Sequence, residues 1–325
     1  MDNGPSKRVA IACQGGGSHT AFTGGVLETL LSNLPDQVEV VALSGTSGGA
    51  ICAALAWDGL VRSDPSLAIR NLEGFWRAIA ATEYWDKIAN QALIGMMGLR
   101  DLMVFPEISP YNFAPAGEDR LRVTLESLLE FEELRTLARR AGAPILKIGA
   151  VEVLSGQFEV FSGEELSAEC LLASAAIPEL FRAVSVSGRG VFWDGLFSQN
   201  PPIHDLVKHR IDELWVIQIN SSTCARVPTE THEILDRRNE LSGNLSLEQE
   251  LGFIEVINRA IARGMFKDNQ FRPIRVARIA LDRQLSYRSK IDRRPALLEE
   301  LRIYGQTKCR LFLRDRESRI GGAVV

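Results

Sequence analysis

Ser47 lies in Gly45-Thr46-Ser47-Gly48-Gly49, a G-x-S-x-G. The residues before it, 38–43, are apolar and rich in β-branched side chains, as in a buried strand. Those after it, 50–55, are Ala-rich and suit a buried helix. A strand turning sharply into a helix needs small neighbours, and it leaves the central hydroxyl exposed at the helix N-terminus. Two readings follow from this context: Ser47 is a nucleophile, or it is the N-cap of a glycine-rich βα turn.

A serine nucleophile needs a base and donors for an oxyanion. Gly15, Gly16 and Gly17 follow the first apolar run, 7–13, and can turn backbone amides toward one point. A dinucleotide loop would need a further glycine at Thr20, and a phosphate loop would need Gly-Lys-Ser/Thr. A plain βα turn remains the competing reading. The chain has four histidines, His19, His204, His209 and His232. A hydrolase with the order Ser, Asp, His would use one of the last three. His204 and His209 begin an expected helix after Pro201-Pro202, and His232 opens a charged one. The other candidate is Asp194, at the end of a short strand and before Gly195. It is either a turn former or a functional carboxylate.

The elements that would position these residues alternate in type. Strand 7–13, helix 20–33, strand 38–43 and the Ser47 helix imply parallel strands with right-handed crossovers, whose C-terminal turns lie side by side. Asp64-Pro65 caps a helix over 64–80. A helix is expected over 118–140, a strand over 145–154 and a hairpin partner at 158–161. Another helix covers 164–175, and a second hairpin joins 184–186 to 191–193. Further strands are expected over 214–220 and 274–281. The helical run 230–266 is expected to break near Ser242-Gly243-Asn244, and a closing helix runs over 295–313. Residues 84–113 fit no period although they carry Trp85, Ile88, Leu93, Met96 and Met97. They read either as an irregular apolar lid or as a buried helical pair.

The 325 residues are 46% hydrophobic and 24% charged, which implies a large core and little disorder. No repeat or linker divides them, so one domain over 1–325 is expected, with the motifs in about 7–220 and a helical and strand segment in 221–325. A formal net charge of −4 argues against nucleic acid as a general partner. The five cysteines show no metal-ligand spacing, and no acidic cluster resembles a calcium loop, so neither metal nor cofactor is expected. Cys13, Cys52 and Cys170 lie in apolar runs, which suits a reducing compartment. Without an apolar h-region at the start or a run of ~18–20 apolar residues, the expectation is a cytoplasmic protein, at most peripheral to a membrane. Basic residues outnumber acidic ones over 272–294, a second candidate for contact with anionic head groups.

Together, Gln14-Gly15-Gly16-Gly17-Ser18-His19, Gly45-Thr46-Ser47-Gly48-Gly49 and Asp194-Gly195 resemble, in order and spacing, the motifs of patatin-like phospholipases. The segment from Ala173 to Phe181 resembles the one before the catalytic aspartate in that family, and 285–290 is similar to bacterial members. The resemblance implies an α/β fold of three layers, α/β/α, around a mostly parallel sheet. It implies a Ser-Asp dyad, with Ser47 as nucleophile and Asp194 as base, and an oxyanion hole from Gly15, Gly16 and Gly17. It implies a lipid or phospholipid substrate, hydrolysed through an acyl-enzyme. His19 stands where many members carry arginine, and is expected to tune the loop rather than act as a base. Thr20 and Leu196 are further departures. Two alternatives are a histidine-based esterase or thioesterase and an inactive lipid-binding module.

Overall fold

The structure is a computed structural model and describes residues 6–100, 109–112, 114–178, 180–266 and 271–321. Strand β1, Lys7–Cys13, alternates between two apolar layers. Val9, Ile11 and Cys13 enter one core, and Ala10 and Ala12 enter the other. A strand covered on both faces belongs in the middle of a parallel sheet. β1 is flanked in parallel by β2, Val38–Thr46, on one side and by β7, Glu213–Gln218, on the other. Outward from these lie β3, Ile145–Glu152, and β8, Arg275–Ala280, also parallel. Beyond β3 the pairing turns antiparallel, with β4, Phe158–Ser162, and with β6, Gly190–Asp194, which pairs in turn with β5, Val184–Val186.

Helices α1, Ala21–Ser32, α2, Gly48–Val61, and α3, Pro65–Ile79, cover one face together with α9, Pro295–Gly321. The opposite face packs against α8, Thr231–Ala262, through Leu247, Leu251 and Ile254. The chain thus adopts the expected three-layer α/β/α arrangement. The remaining helices are α4, Tyr84–Arg100, α5, Ala116–Leu128, α6, Phe131–Ala138, and α7, Ala168–Ser174. The Asp64 cap is present, its carboxylate accepting the Leu67 amide at 3.0 Å.

Several elements differ from expectation. α8 runs unbroken through Ser242-Gly243-Asn244 because these residues serve long-range contacts rather than a turn. A Cβ at Gly243 would meet Asn220 Nδ2 at 2.5 Å, and Asn244 Nδ2 donates to the Asn220 and Ser221 carbonyls. The expected helix over 118–140 is two helices, parted at Leu129 and Glu130. His209 ends a short 3-10 turn, Leu206–His209, in place of a helix.

Of the stretch 84–113, residues 101–108 and 113 lie outside the described residues, as do Glu179 of the segment from Ala173 to Phe181 and Met1 to Pro5. The described part holds α4, a regular helix that turns polar residues toward the protein, and the 3-10 turn Pro110–Asn112. Asp86 and Asn90 face the protein, while Tyr84, Trp85, Ile88, Leu93 and Met96 face outward. Trp85 is 76% exposed and Met96 59%, so the helix is neither irregular nor half of a buried pair. Met97 falls on the inward half with Ile94. Of the eight basic residues over 272–294, Arg278 pairs with Glu248, Arg283 with Glu300, Arg293 with Asp86 and Arg294 with Asp292.

Candidate active site

β2 ends at Thr46, α2 begins at Gly48, and Ser47 between them has φ 56° and ψ −133°. Such a conformation costs about 1–3 kcal/mol in a non-glycine residue and persists only where its surroundings fix it. Here the Ser47 amide donates to Ser174 Oγ at 2.9 Å, and that hydroxyl donates to the Gly149 carbonyl at 2.7 Å. Close packing does the rest, since a Cβ at Gly49 would stand 2.4 Å from the Cys13 carbonyl oxygen. Ser47 is therefore a strained elbow rather than a side-chain N-cap, and its hydroxyl makes no capping bond to α2.

Asp194 ends β6, held beside β3 by its pairing with Ala150. Its side chain is fully buried. Oδ1 accepts the Leu196 amide at 2.8 Å, whereas Oδ2 has no partner within hydrogen-bond geometry. Burial pushes this carboxyl up to about 7, against the Leu196 amide, the nearby Ser47 hydroxyl and the positive charge of Lys290, all of which favour the carboxylate. An aspartate poised near neutrality beside a strained serine suits proton transfer.

The glycine loop passes directly over the elbow, where a Cβ on Gly15 would lie 2.9 Å from Ser47 Cβ. The Gly15 amide is already engaged, donating to Asn200 Oδ1 at 2.7 Å. Among the described residues, the Gly16 and Gly17 amides have no protein acceptor. A buried set of amides holds the loop. Gln14 Oε1 accepts from the Ile219 and Asn220 amides at 2.8 Å each, and its Nε2 donates to the Gly243 carbonyl and Asn244 Oδ1. Asn200 Nδ2 joins the same Gly243 carbonyl at 3.2 Å.

The histidines stand apart from this arrangement. His19 is buried just beyond the loop, its Nε2 2.7 Å from Ser289 Oγ. Burial, and then Lys290, lower it to about 3, so it is neutral. His204 is exposed, and its amide donates to Glu250. His209 lines a cavity with Arg8, Val38 and Glu39 at the start of β1 and β2, the end of the sheet opposite Ser47. His232 is exposed in the first turn of α8. Among the described residues no group of acids, cysteines and histidines could hold a metal ion.

A family model described as patatin-like phospholipase matches residues 11–207. The chain belongs to that family. Curated proteins give no match. Solved structures similar to it include VipD from Legionella pneumophila, at 13% identity and TM-score 0.36, covering 93% of this chain and 67% of the other. Human GIVD cytosolic phospholipase A2, in complex with methyl gamma-linolenyl fluorophosphonate, matches at 14% identity and TM-score 0.41, with 96% and 58% covered. The ExoU-SpcU complex from the type III secretion system of Pseudomonas aeruginosa matches at 16% and 0.32, with 76% and 52% covered. This patatin-like chain thus spans just over half the length of the last two.

The matched region contains Ser47, Asp194 and all three loop glycines. The elements that fix the loop, α8 and the 3-10 turn Tyr287–Ile291, lie outside it. Sequence reasoning missed Ser174, Asn200, Gln14 and Lys290 as site residues. Asn200 is an ordinary asparagine before two prolines in sequence, and nothing local distinguishes a buried amide that bonds 185 residues away. No helix among the described residues is long and apolar enough to cross a membrane.

Proposed function

We propose that the chain is a serine acyl hydrolase of lipid esters, a phospholipase A or broader lipid acyl hydrolase, working through a Ser47-Asp194 dyad. The observation that carries the reading is the buried, unpartnered Asp194 Oδ2 beside a serine held at positive φ. Ser47 Oγ attacks the ester carbonyl carbon as its proton passes to Asp194, and the carbonyl electron pair moves to oxygen. The Gly16 and Gly17 amides receive that oxyanion, while the Gly15 amide is structural. Collapse breaks the bond to the alcohol, which takes the proton from Asp194. Water then attacks the acyl-enzyme with Asp194 as base, releasing the fatty acid and restoring Ser47. The test is a lipid-panel hydrolysis assay with wild type and Ser47→Ala side by side. Hydrolysis of acyl esters by wild type alone supports the reading, and equal rates contradict it.

The Asp194 carboxyl must be ionised to accept the proton. With burial raising it to about 7, kcat/KM should fall as pH drops through neutrality and level off above it. A pH–rate profile checks this. An acid limb near the ordinary aspartate value of ~4 would contradict a base raised by burial.

A lipid hydrolase must also meet an aggregated substrate. The outward face of α4, carrying Tyr84, Trp85, Ile88, Leu93 and Met96, is suited to shallow insertion into an interface, with its polar anchors turned inward. Trp85→Asp and Met96→Asp should each weaken liposome flotation of Ser47→Ala protein, because they sit on the outward half. Flotation unchanged by both, in folded protein, would remove the interfacial role.

A further inference from the structure

We propose that Lys290, on the 3-10 turn Tyr287–Ile291 beyond the matched family region, is a positioning residue for this reaction. Its backbone seats the glycine loop, and its ammonium is the fixed cation facing Asp194. The inference rests on the dyad reading above.

The backbone contact is close. Gly17 has φ +56°, and a Cβ there would stand 2.2 Å from the Lys290 carbonyl oxygen. The turn that presents this carbonyl is tied down on three sides. Ser289 Oγ meets His19 Nε2, and the Tyr287 amide donates to Asp236 Oδ1 on α8 at 2.9 Å. On α4, Asn90 donates to the Ile291 carbonyl at 2.8 Å and accepts the Arg293 amide at 2.9 Å. Residues far along the chain therefore fix the height of the loop over Ser47.

The ammonium is held by neutral acceptors, Asn220 Oδ1 at 2.9 Å and Asn239 Oδ1 at 2.6 Å. Neither cancels its charge, so its field persists beyond the contact. Burial lowers the ammonium to about 8, against Glu240, Asp194 and Asp236, whose charges favour the protonated form, so it stays a cation at neutral pH. His19, on the loop, faces it as a neutral imidazole. Arg283 and Tyr287 complete the surrounding wall. The positive charge of Lys290 favours the Asp194 carboxylate, against the burial that raises it.

This placement has a specific chemical use. When Ser47 is deprotonated and attacks, one negative charge leaves Asp194 and one appears on the oxyanion. A cation beyond the glycine loop favours the ionised base before the step without binding the carboxylate directly. A direct ion pair would occupy Oδ2 and hinder proton uptake. Lys290 thus keeps a buried aspartate ionised near neutral pH and leaves its reacting oxygen free.

The test is kcat/KM between pH 5 and 8 on a chromogenic p-nitrophenyl acyl ester, with the full chain. Lys290→Met keeps the carbonyl over Gly17 and removes the charge. Its acid limb should move up by about half to one pH unit, whereas Lys290→Arg should leave the limb in place. Asn239→Asp, at an exposed position, puts an anion against the ammonium and should also move the limb up. An unchanged limb in Lys290→Met and Asn239→Asp overturns the assignment. If Lys290→Met does not fold, Asn239→Asp decides alone, since its limb either rises or refutes the role. Labelling of Ser47 by a fluorophosphonate in the wild type separates the two readings. Labelling with an unmoved limb defeats only Lys290, whereas no labelling and no dependence on Ser47 defeats the dyad itself.

Discussion

Ser47→Ala and Asp194→Asn are each expected to lower kcat/KM on a lipid ester by about 10³-fold or more. The serine variant removes the attacking oxygen. The asparagine variant keeps the shape of the buried side chain and its acceptor for the Leu196 amide, but it removes the group that takes the proton. Both variants should remain folded. Asp194 contributes a single backbone contact, and an amide is cheaper to bury than a carboxylate. The companion expectation is that His204→Ala, His209→Ala and His232→Ala leave turnover within about threefold, within the scatter of surface substitutions. Loss of turnover in any of these three, with the fold intact, would replace the dyad by a histidine mechanism.

The second large effect is expected at Gly17. Gly17→Ala forces a side chain into φ +56° and drives a Cβ to 2.2 Å from the Lys290 carbonyl oxygen. Neither strain can relax without lifting the loop, and lifting it carries the Gly17 amide away from the oxyanion. Removal of one oxyanion donor costs about 10²–10³-fold in kcat in hydrolases. The loss should fall on kcat and leave KM nearly unchanged, because the oxyanion exists only along the reaction path. Steady-state kinetics alongside a thermal melt check this. A folded Gly17→Ala protein with wild-type kcat would remove the glycine loop from catalysis.

Much of this architecture is legible in the residues because it is encoded locally. The apolar run in Lys7–Cys13, the glycines around Ser47 and the Asp64-Pro65 cap each specify their element within a few positions. The three motifs were recognisable for the same reason, since strand ends and tight turns constrain adjacent residue types. What was not legible depends on distant partners. Gln14, Asn200 and Asn244 are ordinary amides in sequence, and only the fold brings them into one buried set. The interruption expected in α8 failed because Gly243 and Asn244 are small and polar for the sake of Asn220, not of a turn. α4 showed no recognisable period because apolar residues lie on both of its halves, Trp85, Ile88 and Met96 outward and Ile94 and Met97 inward. The commitment of the Gly15 amide to Asn200 was equally hidden, and it narrows the oxyanion donors expected from the loop to Gly16 and Gly17.

Ser47 as an activated nucleophile is the central claim, and a long-chain fluorophosphonate tests it most directly. The reagent phosphonylates a serine only where a base and oxyanion donors converge on it. Intact-protein and peptide mass spectrometry should show one adduct, on Ser47, formed faster as pH rises through about 7 and absent from Ser47→Ala. An unlabelled wild type, or an adduct that persists in Ser47→Ala, would contradict the account.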